Sequence, residues 1–139
     1  MRLTTDEEIR QLLQTAQHIA IVGWSPKPNR PAYEVARYLQ AHGYSVYLIN
    51  PSAPSTPEQP VFAALDQIQA PIDIVDVFRR AEDVPEIVEA AIAVGAKAIW
   101  IQKGIVNEAA AQRASEAGLS VVMDRCMKLE HERLLARGA

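Results

Sequence analysis

The strongest constraint on the fold is the alternation of short apolar runs with longer amphipathic segments. The first apolar run, residues 18–22 (HIAIV), precedes a segment that starts with Pro31 and ends just before Gly43, a pattern typical of a helix over residues 31–42. Strands joined by helices of about 10–12 residues require right-handed crossovers and a parallel sheet. Because the runs are continuously apolar, both faces of the sheet should be covered. The sequence therefore predicts a doubly wound, three-layer, Rossmann-like α/β domain.

Five strands are expected in this sheet, and the whole chain, residues 1–139, is expected to form one domain. The predicted strands are residues 18–22, 45–50, 72–78, 97–102 and 119–123. Helices are predicted from a capping box at Thr5 and Glu8, and then over residues 31–42, 84–94, 107–117 and 128–137. Residues 51–60 contain four prolines and predict a loop, and a short amphipathic piece follows at residues 62–68.

The bulk composition excludes several classes of protein. The formal net charge of −3 gives no general support for nucleic-acid binding, and no apolar run approaches the roughly 20 residues needed to cross a bilayer. The first residues lack the apolar core of a signal peptide. The single cysteine, Cys126, is typical of a reducing compartment, so a cytoplasmic location is expected.

Cations collect after the predicted strands of this acidic chain. Six of the fourteen lysines and arginines follow a strand: Lys27, Arg30, Arg79, Arg80, Lys103 and Arg125. In parallel α/β sheets, ligands bind beyond the carboxyl ends of the strands, near the point where the strand order reverses. The predicted start of a helix at Pro31 would add its free N–H groups and positive dipole end to the same edge. These features together predict a site for an anionic ligand.

The turn after the first strand, GWSPKPNRP at residues 23–31, narrows the choice of ligand. It has one glycine, so it matches neither the G-x-G-x-x-G fingerprint of NAD sites nor a P-loop. The second strand ends in Asn50 where NAD sites carry a carboxylate for the ribose. A carboxylate would repel a phosphorylated ribose, so its absence favours NADP or coenzyme A.

Several segments together resemble the stand-alone CoA-binding protein family, which is related to the nucleotide-binding domain of the succinyl-CoA synthetase α subunit. The matching segments are IVGWSPKPNRP (21–31), LINP (48–51), IDIVDVFRR (72–80), AIWIQKG (98–104) and VMDRC (122–126). The resemblance implies that coenzyme A lies across the carboxyl edge of a Rossmann-like sheet.

Residue roles follow from the resemblance by position. It implies that Gly23, Trp24 and Ser25 form the turn near the pyrophosphate and that Lys27 and Arg30 contact phosphates. The remaining implied contacts are Asn50, Pro51, Val77, Phe78 and Arg79 around the nucleotide, and Ile101, Gln102 and Lys103 near the pantetheine arm. The family usually has a small residue at the position of Trp24, where an indole would either stack on the ligand or crowd the turn.

No catalytic constellation is recognisable. His18, His42 and His131 do not follow strands, so no histidine is expected at the carboxyl edge to act as the base of Cys126. The sequence thus indicates a protein that binds coenzyme A or acyl-CoA without evident catalytic machinery. An acyl-CoA enzyme and a second copy of the chain, in a homodimer, are its candidate protein partners. Two alternatives stay open: a small NADP-dependent oxidoreductase, and a ligand-free dimeric interaction module using the apolar residues Leu129, Leu134 and Leu135.

Overall fold

The computed structural model describes residues 1–136 and shows a parallel sheet with helices on both faces. The strands are β1 (His18–Val22), β2 (Ser45–Ile49), β3 (Val61–Phe62), β4 (Ile74–Val77), β5 (Ala98–Ile101) and β6 (Ser120–Met123). The helices are α1 (Asp6–Thr15), α2 (Pro31–Ala41), α3 (Val84–Ala93), α4 (Glu108–Glu116) and α5 (Met127–His131). This is the predicted three-layer, Rossmann-like α/β architecture.

The prediction of five strands is wrong, because the sheet has six, in the order β3-β2-β1-β4-β5-β6. The additional strand, β3, is only two residues long and pairs in parallel with the end of β2. It lies directly after the proline-rich loop, where an amphipathic piece was expected over residues 62–68. Only Leu65–Gln67 of that piece is helical, as a single 3₁₀ turn. A two-residue edge strand is too short to produce a period of its own in the sequence.

The strand order places a topological switch point between β1 and β4. The chain runs outward from β1 to β2 and β3, and then returns to place β4 on the other side of β1. The loops that leave β1 and β4 therefore diverge from adjacent positions, and this divergence opens a crevice at the carboxyl edge.

Two apolar cores hold the layers together. One core packs α1, α2 and α5 on one face of the sheet, and the other packs α3 and α4 on the opposite face. Each fully buried Val, Leu or Ile side chain contributes roughly 1.5–3 kcal/mol to the free energy of unfolding. Asp76 of β4 is the exception: its side chain is fully buried, and neither carboxyl oxygen has a hydrogen-bond partner among residues 1–136. Burial raises the pKa of Asp76 well above its ordinary value.

The helix ends follow from local sequence signals. The predicted capping box is present, since the Thr5 side chain accepts from the Glu8 N–H while the Glu8 carboxylate accepts from the Thr5 N–H. The last helix, predicted over residues 128–137, begins at Met127 and continues beyond His131 as a π-helical turn over Glu132–Ala136. Arg137, the predicted end of that helix, lies outside the described residues.

The amino-terminal segment lies along the outer edge of β6. Arg2 forms a parallel bridge with Val121, and the N–H of Leu3 donates to the Val121 carbonyl over 2.8 Å. Just beyond, the Arg125 guanidinium donates to the Thr4 carbonyl over 3.2 Å. Within residues 1–136, no helix has the length and apolar character required to span a membrane.

Candidate functional site

The turn after β1 requires glycine at its first position. Gly23 has φ of +91°, a conformation that strains any residue with a Cβ. A Cβ placed there would also lie 2.5 Å from the carbonyl oxygen of Phe78, in the turn after β4. The N–H groups of Gly23 and Trp24 both donate to the Ile49 carbonyl, over 3.1 and 3.2 Å. These two amides are therefore used in holding the turn against β2.

Asn50 fixes the same turn from the end of β2. Its Nδ2 donates to the Trp24 carbonyl over 2.7 Å, and its Oδ1 accepts from the Ser52 N–H over 2.8 Å. Both ends of the side-chain amide are thus bonded to the backbone of the two adjacent turns. Sequence reasoning considered Asn50 only as a neighbour of the ligand and missed this structural role, because the partners are backbone atoms that no side-chain pattern marks.

Trp24 belongs to the core beneath the turn. Its side chain is 2% exposed and packs in the cluster that joins α1, α2 and α5 to the sheet. The ring centroid lies 6.5 Å from that of Tyr33, with the two rings inclined by 26°. The indole faces are covered by protein, so Trp24 contributes bulk under the turn and offers no open face for stacking.

A cavity of about 610 Å³ lies at the carboxyl edge, over the switch point; it is called the main cavity below. Its lining residues are Gly23, Trp24, Ser25, Lys27, Arg30, Pro31, Ala32, Asn50, Pro51, Phe78, Arg79, Arg80, Gln102, Lys103 and Ile105. This set contains five cations and no carboxylate, in a chain whose net charge is −3. The electrostatic potential of the main cavity therefore favours an anion.

The cations of the main cavity differ in their existing partners. Arg79 pairs with Asp83 over 3.2 Å and Arg80 with Glu82 over 3.0 Å. Lys27, Arg30 and Lys103 form no ion pair with any residue among 1–136, so their charges are not already neutralised by a protein carboxylate. Arg30 is also the N-cap residue of α2, and its side chain makes no capping bond. The positive end of this 11-residue helix consequently adds to the field of the arginine.

The structure brings together all the predicted site residues except Val77 and Ile101. Both of these side chains are fully buried in the core under α3 and α4 and do not line the main cavity. Arg125, which was expected at the same edge, lines the second cavity described below and not the main cavity. Its guanidinium donates to the Thr4 carbonyl and forms a 3.6 Å ion pair with Glu130. Pro31, Ala32 and Ile105 line the main cavity without having been predicted as site residues. Arg80, which also lines it, was predicted only as one of the cations that follow the strands.

Gln102 connects the main cavity to the start of the last helix. Its side chain is 5% exposed, and its Oε1 accepts from the Met127 N–H over 3.2 Å. Beyond Lys103 lies a second cavity of about 410 Å³. Its lining residues are Lys103, Met123, Asp124, Arg125, Cys126, Leu129 and Glu130. Lys103 is therefore shared by the two cavities.

The three histidines lie outside both cavities. His18 contacts the Tyr47 hydroxyl through Nδ1 at 2.9 Å, and His131 contacts the Tyr38 hydroxyl at 2.7 Å. None of the three histidines lines either cavity. Over residues 1–136, no group of three or more His, Cys, Asp or Glu side chains is placed to hold a metal ion.

The parallel sheet, the switch point and the main cavity define a Rossmann-like domain with a cation-lined cavity at its carboxyl edge. Residues 17–132 match the CoA binding domain family. This chain belongs to that family, which confirms the resemblance found in the sequence.

Relatives match this chain over nearly their whole length. YneT of Bacillus subtilis (strain 168) is 37% identical over 131 residues, which cover 94% of this chain and 97% of YneT. A solved structure of a hypothetical protein from Pyrococcus horikoshii OT3 is 44% identical with a TM-score of 0.90, covering 95% of this chain and 93% of that one. The structure of Prb, the PH1109 protein redesigned for binding, is 41% identical with a TM-score of 0.92, covering 97% and 95% of the two chains.

Proposed function

We propose that this protein binds coenzyme A or an acyl-CoA in the main cavity and performs no chemistry of its own. The observation that carries the proposal is the composition of the cavity lining, five cations with no carboxylate, at the switch point of a CoA-family domain. Coenzyme A has a pyrophosphate and a phosphate on its ribose, so it presents several anionic groups to one edge of the sheet.

Lys27 and Arg30 are the residues best suited to the phosphates. They flank the start of α2, where Ala32 is the first helical residue with an N–H because Pro31 has none. An arginine fork can contact two phosphate oxygens at once, and neither cation has to leave a carboxylate of residues 1–136 before doing so. Arg79 and Arg80 would instead exchange their pairs with Asp83 and Glu82 for the ligand.

The absence of chemistry is part of the proposal and is supported by the positions of the histidines, which lie outside both cavities. Cys126 lines the second cavity, but none of the three histidines lies there to activate the thiol. We extend the proposal to a cytoplasmic protein that serves acyl-CoA metabolism, with an acyl-CoA enzyme as its partner. The interaction-module alternative is weakened, since Leu134 is buried in the core and Leu135 packs against it.

Calorimetric titration of one preparation with coenzyme A, NADP and ATP tests the proposal. We expect coenzyme A to bind most tightly, because the main cavity offers cations to its phosphates and the second cavity, which shares Lys103, lies next to it for the pantetheine arm. Tighter binding of NADP would favour the oxidoreductase alternative. Failure of all three ligands to bind would remove the proposed function, and a dimer found in light scattering would then favour the interaction module.

A further inference from the structure

The two cavities at the carboxyl edge have different charges. All the charged side chains of the main cavity are cations. The second cavity has two cations, Lys103 and Arg125, and two carboxylates, Asp124 and Glu130. Two of these four side chains, Arg125 and Glu130, form an ion pair of 3.6 Å. The second cavity is therefore polar and close to neutral, and it has no net attraction for a phosphate.

Hydrogen bonds between side chains and backbone join the loops around the second cavity. Asp124 adopts φ of +63°, and its Oδ1 accepts from the Gly104 N–H over 2.7 Å, which joins the loops after β5 and β6. The bond from the Met127 N–H to Gln102 ties the start of α5 to the end of β5. Lys103 lines both cavities, so a ligand that occupies both would pass close to it.

We propose that the second cavity receives the thiol end of the coenzyme A arm together with a short, uncharged acyl group, and that it excludes long acyl chains. This inference rests on the proposed function of the main cavity. The pantetheine arm is neutral and rich in amide groups, which suits a polar cavity without net charge. A short acyl group adds little volume to the end of the arm that the second cavity must accommodate.

A long acyl chain would gain nothing from this lining. Burial in an apolar environment favours an alkyl chain by about 0.8 kcal/mol per methylene. In the second cavity, the chain would instead meet four charged side chains and remove them from water, which is unfavourable. Its apolar surface is limited to Met123, Leu129 and the thiol of Cys126, and Leu129 is itself 51% exposed.

Calorimetry with four ligands separates this inference from the proposed function. The ligands are coenzyme A, acetyl-CoA, decanoyl-CoA and 3′-phospho-ADP, the nucleotide half of coenzyme A without its arm. We expect coenzyme A to bind about tenfold more tightly than 3′-phospho-ADP, acetyl-CoA to match coenzyme A within about threefold, and decanoyl-CoA to bind about tenfold more weakly. Equal affinities for coenzyme A and 3′-phospho-ADP would overturn the inference and leave the proposed function standing. Decanoyl-CoA binding as tightly as acetyl-CoA would also overturn it, whereas no binding by any ligand would end both proposals.

A variant at the mouth of the second cavity provides an independent check. Leu129→Trp adds bulk at a half-exposed position, so folding should be preserved. Coenzyme A affinity should fall about fivefold, while the affinity for 3′-phospho-ADP stays within about twofold. Gln40→Trp, which adds the same indole at an exposed position of α2 outside both cavities, is the matched control. Identical coenzyme A affinities in the two variants would contradict an arm placed in the second cavity.

Discussion

Replacing Asp76 with asparagine should change how the stability of the protein depends on pH. The side chain lies within β4, beside Ile21 of β1 and Trp100 of β5, fully buried and without a hydrogen-bond partner among residues 1–136. Burial raises its pKa in the folded protein, whereas in the unfolded chain the pKa is that of an ordinary aspartate. Between those two pKa values the folded protein binds one more proton than the unfolded chain.

The sign and the slope follow from this difference in bound protons. The contribution of Asp76 to stability is fully present below the unfolded pKa and is lost as the pH rises towards the folded pKa. The free energy of unfolding should therefore decrease by about 1.4 kcal/mol per pH unit through this group. An asparagine amide cannot ionise, so Asp76→Asn should remove this slope while keeping the shape of the side chain.

Urea denaturation of both proteins at several pH values, starting above the ordinary pKa of an aspartate, measures the effect. The difference in unfolding free energy between Asp76→Asn and the unsubstituted protein should grow in favour of the variant as the pH rises, by up to about 1.4 kcal/mol per pH unit. All other groups titrate in both proteins and cancel in the difference. A difference that stays constant with pH would mean that Asp76 is ionised in the folded protein, which would refute the reasoning. Asp73→Asn is the contrasting control, because the Asp73 carboxylate accepts 2.8 Å bonds from the N–H groups of Gln17 and His18.

Three further predictions concern the turn and the main cavity. Arg30→Ala should weaken coenzyme A binding about tenfold and reduce its dependence on salt, as measured by titration calorimetry. Arg37→Ala, in α2 but outside the main cavity, should leave the affinity and its salt dependence unchanged. Equal effects of the two substitutions would remove Arg30 from the phosphate site. Gly23→Ala should lower the free energy of unfolding measured in urea by more than Gly43→Ala does. Both glycines have φ of +91°, which costs alanine about 1–2 kcal/mol, but only at position 23 would the new Cβ clash with the turn after β4. Equal losses in the two variants would show that this clash does not contribute to the loss of stability. Asn50→Asp should weaken coenzyme A binding about tenfold, and most at low salt. The substitution removes the Nδ2 donor that holds the turn after β1 and adds a negative charge to the lining of the main cavity. An unchanged affinity at low salt would contradict this prediction.

Much of the fold could be predicted because its signals are local. The proline that starts α2, the capping box of α1 and the continuously apolar strands each leave a pattern in neighbouring residues. The strand β3 leaves no such pattern, because two residues form a strand only when the end of β2 is beside them. The sixth strand thus depends on tertiary pairing that the sequence does not display.

The residues of the candidate site were easier to predict than their roles. The rule that ligands bind beyond the strand ends located the cations. Arg125 nevertheless lines the second cavity and not the main one, and a carbonyl 121 residues away in the chain accepts its guanidinium. Val77 and Ile101 lie at strand ends but do not reach the main cavity. Side chains alternate between the two faces of a strand, and these two point into the core under α3 and α4. The indole of Trp24 is likewise directed into the core by packing between the sheet and α2.

The pairing of the amino-terminal segment with β6 has a practical consequence for the handling of this protein. An open edge strand is a template for joining a sheet of another molecule, and residues 1–3 occupy that template here. The next residue, Thr4, holds Arg125 at the wall of the second cavity. A bulky fusion attached at Met1 that displaced these four residues would expose an unpaired strand edge and release a guanidinium into the second cavity at the same time. Affinity tags are therefore better placed away from this end of the chain when ligand affinities are compared.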